Sequence, residues 1–421
     1  MAETEISFLG SCSSIGALTS IPIAGYLNDI LGRKKSCVLF ASLQVISWSI
    51  ISSCSKVEAI LAAVFVAGLS GSLILLVPIY VGEICQGSIR GMMTSSGMIF
   101  VTTGMLISYL LGGYLSYAIM NYVCLSLAVL GVVMLSLLKE SPMFLMKKGV
   151  EKEAAKAVAY YRGVEVESLE VYEEMESMRK ALNPEFEAPT PEEEKLKPEP
   201  EANPKKLSLY QFLKKSRSTR RALAICLFLY SVAVFQGLVV VQVYAIPLFE
   251  EAVPNMSATI ASVLFALVSM VAGFIAAFLV DKLGRRPLMI YASTGACVCC
   301  VALGTQIHLH WGPHWLTPVF IYMFCLSYFC GAGSVPYVFV AEVFLPEVRS
   351  YLSVIAIEWA YICSFTILFI FNPLVAAIGL GPVFYLFAGI CFISAVVSMF
   401  VMPETKGLTV DVIQTKLEEQ W

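Results

Sequence analysis

Eleven apolar stretches, each about the length needed to cross a bilayer, limit what this chain can fold into more than any other feature. They run at about 8–27, 36–54, 58–81, 94–116, 119–138, 222–246, 258–280, 287–307, 316–341, 352–374 and 381–402. A helix rises about 1.5 Å per residue and the hydrocarbon core is about 30 Å thick, so about 20 apolar residues make one span. Lipid offers backbone groups no hydrogen bonds, which makes each span a helix that satisfies its own. The expected fold class is an all-α polytopic membrane protein with five spans followed by six.

Composition narrows the function. The 421 residues are 58% hydrophobic and only 14% charged, against about 25% charged in soluble domains, which excludes an ordinary soluble enzyme. The net charge of −3 provides no basic field for nucleic acid. No nucleophile triad or phosphate loop stands in the sequence, so neither an enzyme nor a cofactor is expected. The 13 Cys lie mostly inside apolar runs without metal-ligand spacing. His308, His310 and His314 sit beside Trp311 and Trp315 in one loop and read as part of an interfacial aromatic belt, so no metal site is expected. The first residues, MAETEIS, lack the basic region of a leader peptide, and no cleaved leader is expected.

The polar segments organise the rest. Residues 1–138 form a first bundle and 222–402 a second, with 403–421 as a tail. Between them, 139–221 begins with helix-forming sequence and continues as a Pro- and Glu-rich stretch expected to be a disordered linker. Threading the spans alternately places every Lys and Arg except Lys56 on one side. The positive-inside rule makes that side cytoplasmic, with the central loop and C-terminus inside and the N-terminus outside. Asn255-Met256-Ser257 is a weak glycosylation sequon in an outer loop.

The two halves repeat in parallel. Leu27-Asn28-Asp29-Ile30-Leu31-Gly32-Arg33-Lys34 returns as Leu279-Val280-Asp281-Lys282-Leu283-Gly284-Arg285-Arg286. Pro78, Tyr80, Glu83 and Arg90 are answered by Pro336, Tyr337, Glu342 and Arg349. Parallel repeats of this kind build transporters that rock one bundle against the other. A full span, 222–246, precedes the second copy of the repeat, whereas the first copy has no counterpart before it. The internal symmetry therefore calls for a twelfth, N-terminal helix.

These motifs resemble those of the sugar porter family of the major facilitator superfamily, and the texture is most similar to its insect trehalose- and hexose-transporter-like members. The family motif after the second helix matches Gly25, Leu27, Asp29, Gly32, Arg33 and Lys34, and its copy matches Asp281, Gly284, Arg285 and Arg286. The bundle exits match at Glu140-Ser141-Pro142, with Lys139 where the family has Pro, and at Pro403-Glu404-Thr405-Lys406-Gly407. The resemblance implies facilitated transport of a hexose or trehalose across the plasma membrane, with a sugar and the lipid bilayer as partners. Asp29, Arg33, Glu83, Arg90 and Glu140 would form one cytoplasmic latch cluster, and Asp281, Arg285, Glu342, Arg349 and Glu404 the other; the plainer reading is that they only fix topology.

The central positions depart from the family. Where its members carry amides and an acid, this chain has Met98, Ala233, Val234, Val239 and Phe329, with Ser334 and Tyr337 in the Pro-x-Pro-Trp run; Trp359 matches. Each unpaired polar group of a dehydrated sugar costs about 1–3 kcal/mol, so these losses matter. Ala233, Gln236, Gly237, Val240 and Tyr244 share one helical face, which makes Gln236 and Tyr244 candidate contacts beside Tyr337 and Trp359. Glu358 lies inside a span, where a charge costs about 2.5–3.5 kcal/mol; it is expected to bind a hydroxyl, relay a proton or pair with Arg349. Two rival readings stay open: a non-transporting sensor or truncated inactive paralogue, and a carrier of a more hydrophobic solute.

Overall fold

The computed structural model describes residues 3–182, 216–252, 256–408 and 410–419, and among them the chain is helical with no strand. The first bundle contains α1 (Glu3–Leu31), α2 (Arg33–Ser53), α3 (Val57–Leu69), α4 (Leu73–Ile84), α5 (Gly87–Tyr114) and α6 (Tyr117–Leu137). Three short helices follow: α7 (Pro142–Lys147), α8 (Glu151–Arg162) and α9 (Leu169–Leu182). The second bundle contains α10 (Arg217–Phe235), α11 (Leu238–Val243), α12 (Ala245–Ala252), α13 (Ala258–Leu283), α14 (Arg285–Leu309), α15 (Leu316–Cys330), α16 (Val335–Val343), α17 (Pro346–Ile378) and α18 (Leu380–Val401), then α19 (Val410–Glu419). Ten helical stretches are long and apolar enough to cross a membrane, and the apolar part of α5, Ile99–Tyr114, is shorter. The linker expected within 183–215, and Asn255 of the sequon, lie outside the described residues.

Three spans expected to be continuous are broken. A 3₁₀ turn, Ser70–Ser72, divides α3 from α4, and the 331–334 segment divides α15 from α16. Gly237, at φ +94°, ends α10 and starts α11. Left-handed backbone costs a residue with a Cβ about 1–2 kcal/mol, and a Cβ at Gly237 would also run into the Phe387 ring. Broken helices are tolerated at membrane depth only inside protein or beside a cavity, and Ser72, Gln236 and Ala332 at the three breaks are buried inside the protein.

The bundles meet along two pairs, α1 against α17 and α5 against α13. By the repeat, α1 corresponds to α13 and α5 to α17, so the pairs are pseudo-symmetric mates. Within the second bundle, α10 packs against α16, α17 and α18, and 56% of its span is buried inside the protein. Of the last span, α18, 44% is buried, but only 6% of its repeat-mate α6. Among the described residues no helix of the first bundle takes the place that α10 takes in the second, which leaves α6 largely uncovered.

The turns joining α1 to α2 and α13 to α14 consist of one glycine each, and both lie at the same end of the bundles, the inner end on the positive-inside reading. Gly32 has φ +100° and Gly284 φ +94°. A Cβ on Gly32 would stand 2.5 Å from Glu140 Oε2, and one on Gly284 2.7 Å from Glu404 Oε2. Both motif glycines are therefore required twice, by backbone angle and by the carboxylate pressed against them. Gly32→Ala and Gly284→Ala are each expected to cost about 1–3 kcal/mol and to lower the melting temperature in detergent. Gly25→Ala, whose Cβ would meet nothing within 4 Å, serves as the unaffected control.

Candidate functional site

At the inner end of each bundle a carboxylate caps the helix that follows the glycine turn. A helix N-terminus has unpaired N–H groups and a partial positive charge, and an anion there gains about 0.3–1 kcal/mol, more when half-buried. Glu140 Oε1 accepts from Lys34 N–H at 2.9 Å and from Ser141 N–H at 3.0 Å. Glu404 accepts from Arg285 N–H at 3.0 Å, Arg286 N–H at 3.1 Å, Thr405 N–H at 3.0 Å and Lys406 N–H at 2.9 Å. In both cases the acid comes from the exit of the last span in the bundle, so the contact ties the start of α2 or α14 to the bundle's end.

The arginine of each motif then reaches the acid at the end of α4 or α16. Arg33 Nε donates to both oxygens of Glu83 at 3.0 and 2.9 Å, and its Nη1 donates to Asn28 O at 3.1 Å. Arg285 forms a fork with Glu342, Nη2 to Oε1 at 2.7 Å and Nε to Oε2 at 3.1 Å, while its Nη1 donates to Val280 O at 2.9 Å. The Ser141 hydroxyl donates to Glu83 and the Thr405 hydroxyl to Glu342. Each arginine side chain is only about a tenth exposed. Charges this deeply placed are tolerable only when paired and hydrogen-bonded throughout, and both are.

These contacts close within a bundle. Arg33, Glu83 and Glu140 come together with Asp29, which lies 3.5 Å from Arg33 and 3.7 Å from Lys147; Arg285, Glu342 and Glu404 form the second group. Arg349 donates to Phe344 O and makes no ion pair with Glu342 or Glu404 among the described residues. The side chains of Arg90 and Asp281 lie outside the described residues. Among the described residues, the bonds that cross between bundles sit in the outer halves, apart from a 3.9 Å contact of Thr103 Oγ1 with Met270 Sδ near mid-depth. Tyr109 donates to Gln242 O at 2.6 Å and Asn372 to Ser7 Oγ at 3.2 Å. Thr259 packs against Gly113 where a side chain on the latter would clash.

The central contacts separate into two groups. Tyr337 is 49% exposed and Trp359 39%, and both are held by one turn of α10. The Tyr337 ring stands edge-on to Tyr230, centroids 5.3 Å apart, and Trp359 Nε1 donates to Ser231 Oγ at 2.7 Å. Glu358 precedes Trp359; its Oε1 is buried and has no hydrogen-bond partner among the described residues. The expected pairing of Glu358 with Arg349 is not made.

Gln236 and Tyr244 are elsewhere. Gln236 is fully buried and turns into the second bundle, its Nε2 3.5 Å from Ser293 Oγ, which in turn bonds Ser394 Oγ at 3.0 Å. The break at Gly237 ends the helical face that the sequence pattern shares between it and Tyr244. Tyr244 donates to Leu368 O at 3.0 Å, stacks on Phe371 and abuts Gly10, sealing the outer end rather than lining the centre. The apolar replacements Ala233 and Phe329 are packed away, and Tyr328 donates to Ala233 O at 2.9 Å. Tyr230 and Ser231 escape sequence reading because a Tyr-Ser pair in an apolar run has no distinguishing spacing.

Removing one partner of a buried ion pair costs about 3–5 kcal/mol because the other charge stays behind. Arg285→Ala is expected to destabilise within that range, with Arg285→Lys intermediate because it loses the fork. The Arg285→Ala/Glu342→Ala double variant should lose less stability than the sum of the two singles, a comparison that detergent thermal melts can make.

The sequence and the fold agree with known proteins. The family model described as Sugar (and other) transporter matches residues 2–417. The chain is 25% identical to a facilitated trehalose transporter, Tret1, of Drosophila yakuba over 98% of its own length and 46% of that protein. It is 24% identical to Tret1 of Culex quinquefasciatus over 98% of itself and 77% of the relative. The chain thus spans about half the length of some curated relatives. Among solved structures, the inward-open xylose transporter XylE of E. coli superposes with a TM-score of 0.80 at 18% identity, over 99% of this chain and 90% of that one. Its partially occluded inward-open form gives 0.76 at 19% identity, over 97% and 90%. The fold is that of the major facilitator superfamily, two helical bundles in parallel repeat, and the chain belongs to the sugar transporter family.

Proposed function

We propose that this chain carries a sugar across the plasma membrane by alternating access, down its gradient. The observation that supports this reading most directly is the placement of bonds. Among the described residues, the ion pairs of both charge clusters close inside their own bundles at the inner end, and hydroxyl and amide contacts join the bundles at the outer end. A molecule tied in this way has two rigid halves, closed outside and free to open inside. In the opposite state, the acids and arginines of the two clusters are available to exchange partners across the inner gap, the latch role assigned to Asp29, Arg33, Glu83, Arg90 and Glu140 and to Asp281, Arg285, Glu342, Arg349 and Glu404.

The substrate sits at the aromatic junction. A hexose presents an apolar face of C–H groups and a rim of hydroxyls, which suits the rings of Tyr337 and Trp359 with Ser231 and Glu358 as polar partners. A hexose or a trehalose fits this chemistry, and the trehalose carriers among its relatives favour the disaccharide. Gln236 and Tyr244 act as support, the first inside the second bundle and the second at the outer seal. The central loop and C-terminus face the cytoplasm and the N-terminus faces outward, following the Lys and Arg distribution.

Purified protein in liposomes is expected to take up labelled glucose or trehalose with saturation. Trp359→Phe, which removes the donor to Ser231, should weaken uptake by about tenfold, the worth of one hydrogen bond lost at a binding site. A Ser7→Cys/Asn372→Cys pair, placed where the two side chains meet at 3.2 Å, should arrest transport when oxidised and release it on reduction. Well-folded protein that moves neither sugar would overturn the proposal.

A further inference from the structure

Glu358 can accept from a hydroxyl, but binding of a neutral sugar does not call for its charge. The side chain is half-buried, and its Oε1 is buried without a hydrogen-bond partner among the described residues, which costs free energy. Its position on α17 is defined by helical spacing. Residues 358, 361, 365 and 372 lie on one face. Tyr361 on that face brings its hydroxyl to 3.7 Å from the Cβ position of Gly71 in the first bundle, and Asn372 reaches Ser7. Glu358 therefore belongs to the face that meets the first bundle, at the depth of Trp359 and the Tyr337–Tyr230 pair.

Among the described residues the chain supplies no cation to it. The helices that pack on α17 are α1, α10, α11, α16 and α18. Four of these have no Lys or Arg at all, and in α10 they are confined to Arg217, Arg220 and Arg221 at its inner start. Arg349, on α17 itself, is committed to Phe344 O. A half-buried carboxylate at the depth of the Trp359 and Tyr337–Tyr230 rings, with Tyr361 on its own helical face and no Lys or Arg at its depth among the described residues of the facing helices, has the composition of a site for an organic ammonium group. The rings favour a cation through their faces, and the carboxylate pairs with it in a charge-assisted hydrogen bond.

From this the geometry points to an amine-bearing sugar, a 2-amino-2-deoxyhexose in its protonated form, as the preferred substrate, with Glu358 as the residue that selects it. This rests on the sugar-transport reading above and narrows its substrate class. The sugar ring occupies the Trp359 and Tyr337 side of the junction, and the ammonium replaces the missing counter-charge.

The test measures uptake of labelled glucosamine, N-acetylglucosamine and glucose into liposomes at about pH 6.5, where an aliphatic amine next to a polar carbon is mostly protonated. Glucosamine is expected to be taken up at least about tenfold more efficiently than the two neutral sugars. Glu358→Gln, which keeps the shape but not the charge, should erase that preference by lowering glucosamine uptake at least about tenfold more than glucose uptake, while Glu358→Asp, which keeps the charge, should retain part of it. Equal uptake of all three sugars, or a Glu358→Gln protein that loses every sugar alike, would overturn the proposal while leaving sugar transport intact; the second result would mean that the acid serves the cycle through protonation. No uptake of any sugar by well-folded protein would instead remove the transport reading beneath it. Should Glu358→Gln fail to fold, competition in the wild-type protein decides: unlabelled glucosamine should block labelled glucose uptake at about a tenth of the concentration that unlabelled glucose needs, and equal potency would overturn the proposal.

Discussion

A carboxylate set against the start of a helix, behind a glycine that has no room for a side chain, is the contact on which the rest of this molecule depends. It occurs twice, Glu140 behind Gly32 and Glu404 behind Gly284. In each bundle it joins the exit of the last span to a turn between two earlier ones. Without it the first N–H groups of α2 and α14 would be left unpaired, and the arginines of the motif would lose the backbone geometry that aims them at Glu83 and Glu342. With it, each bundle is closed at its inner end by bonds of its own.

That self-sufficiency explains how a membrane protein can be stable and still move. Helix association in lipid gains little from the hydrophobic effect and relies on packing and polar contacts. Among the described residues the ion pairs lie within the bundles, and the contacts between them are single hydroxyl and amide bonds, mostly toward the outer ends. The three short helices after α6 extend the first bundle by the same rule. Arg162 forks onto Glu174 and donates to Ile84 O at the end of α4, so α8 and α9 travel with that bundle as part of it.

The spans, the parallel repeat and the charge motifs are legible in the sequence because each depends on local pattern: runs of about 20 apolar residues, and a glycine between an acid and a base. The acids of the two inner clusters can be grouped from the sequence alone, since their order along the two halves is the same. The centre is harder to read. Gln236 looks like a cavity residue when one helical face is extended through Gly237, and the positive φ of that glycine redirects the chain. Tyr230 and Ser231 carry no signal, because what distinguishes them is contact with Tyr337 and Trp359, which come from more than a hundred residues away. Glu358 is conspicuous as a charge in an apolar run, but its lack of a partner is a fact of packing and becomes visible only in three dimensions.

The central claim, that two self-closed bundles rock as units, is tested most directly by pulsed electron-spin distance measurements. Labels at the exposed inner residues Tyr26 of α1 and Tyr351 of α17 report the gap between bundles, and labels at Tyr291 of α14 and Phe278 of α13 report a distance inside the second. Addition of sugar should add a population with a shorter Tyr26–Tyr351 distance and leave the Phe278–Tyr291 distance unchanged. A fixed inner gap under all conditions, or a change within the bundle as large as the change between bundles, would contradict the account.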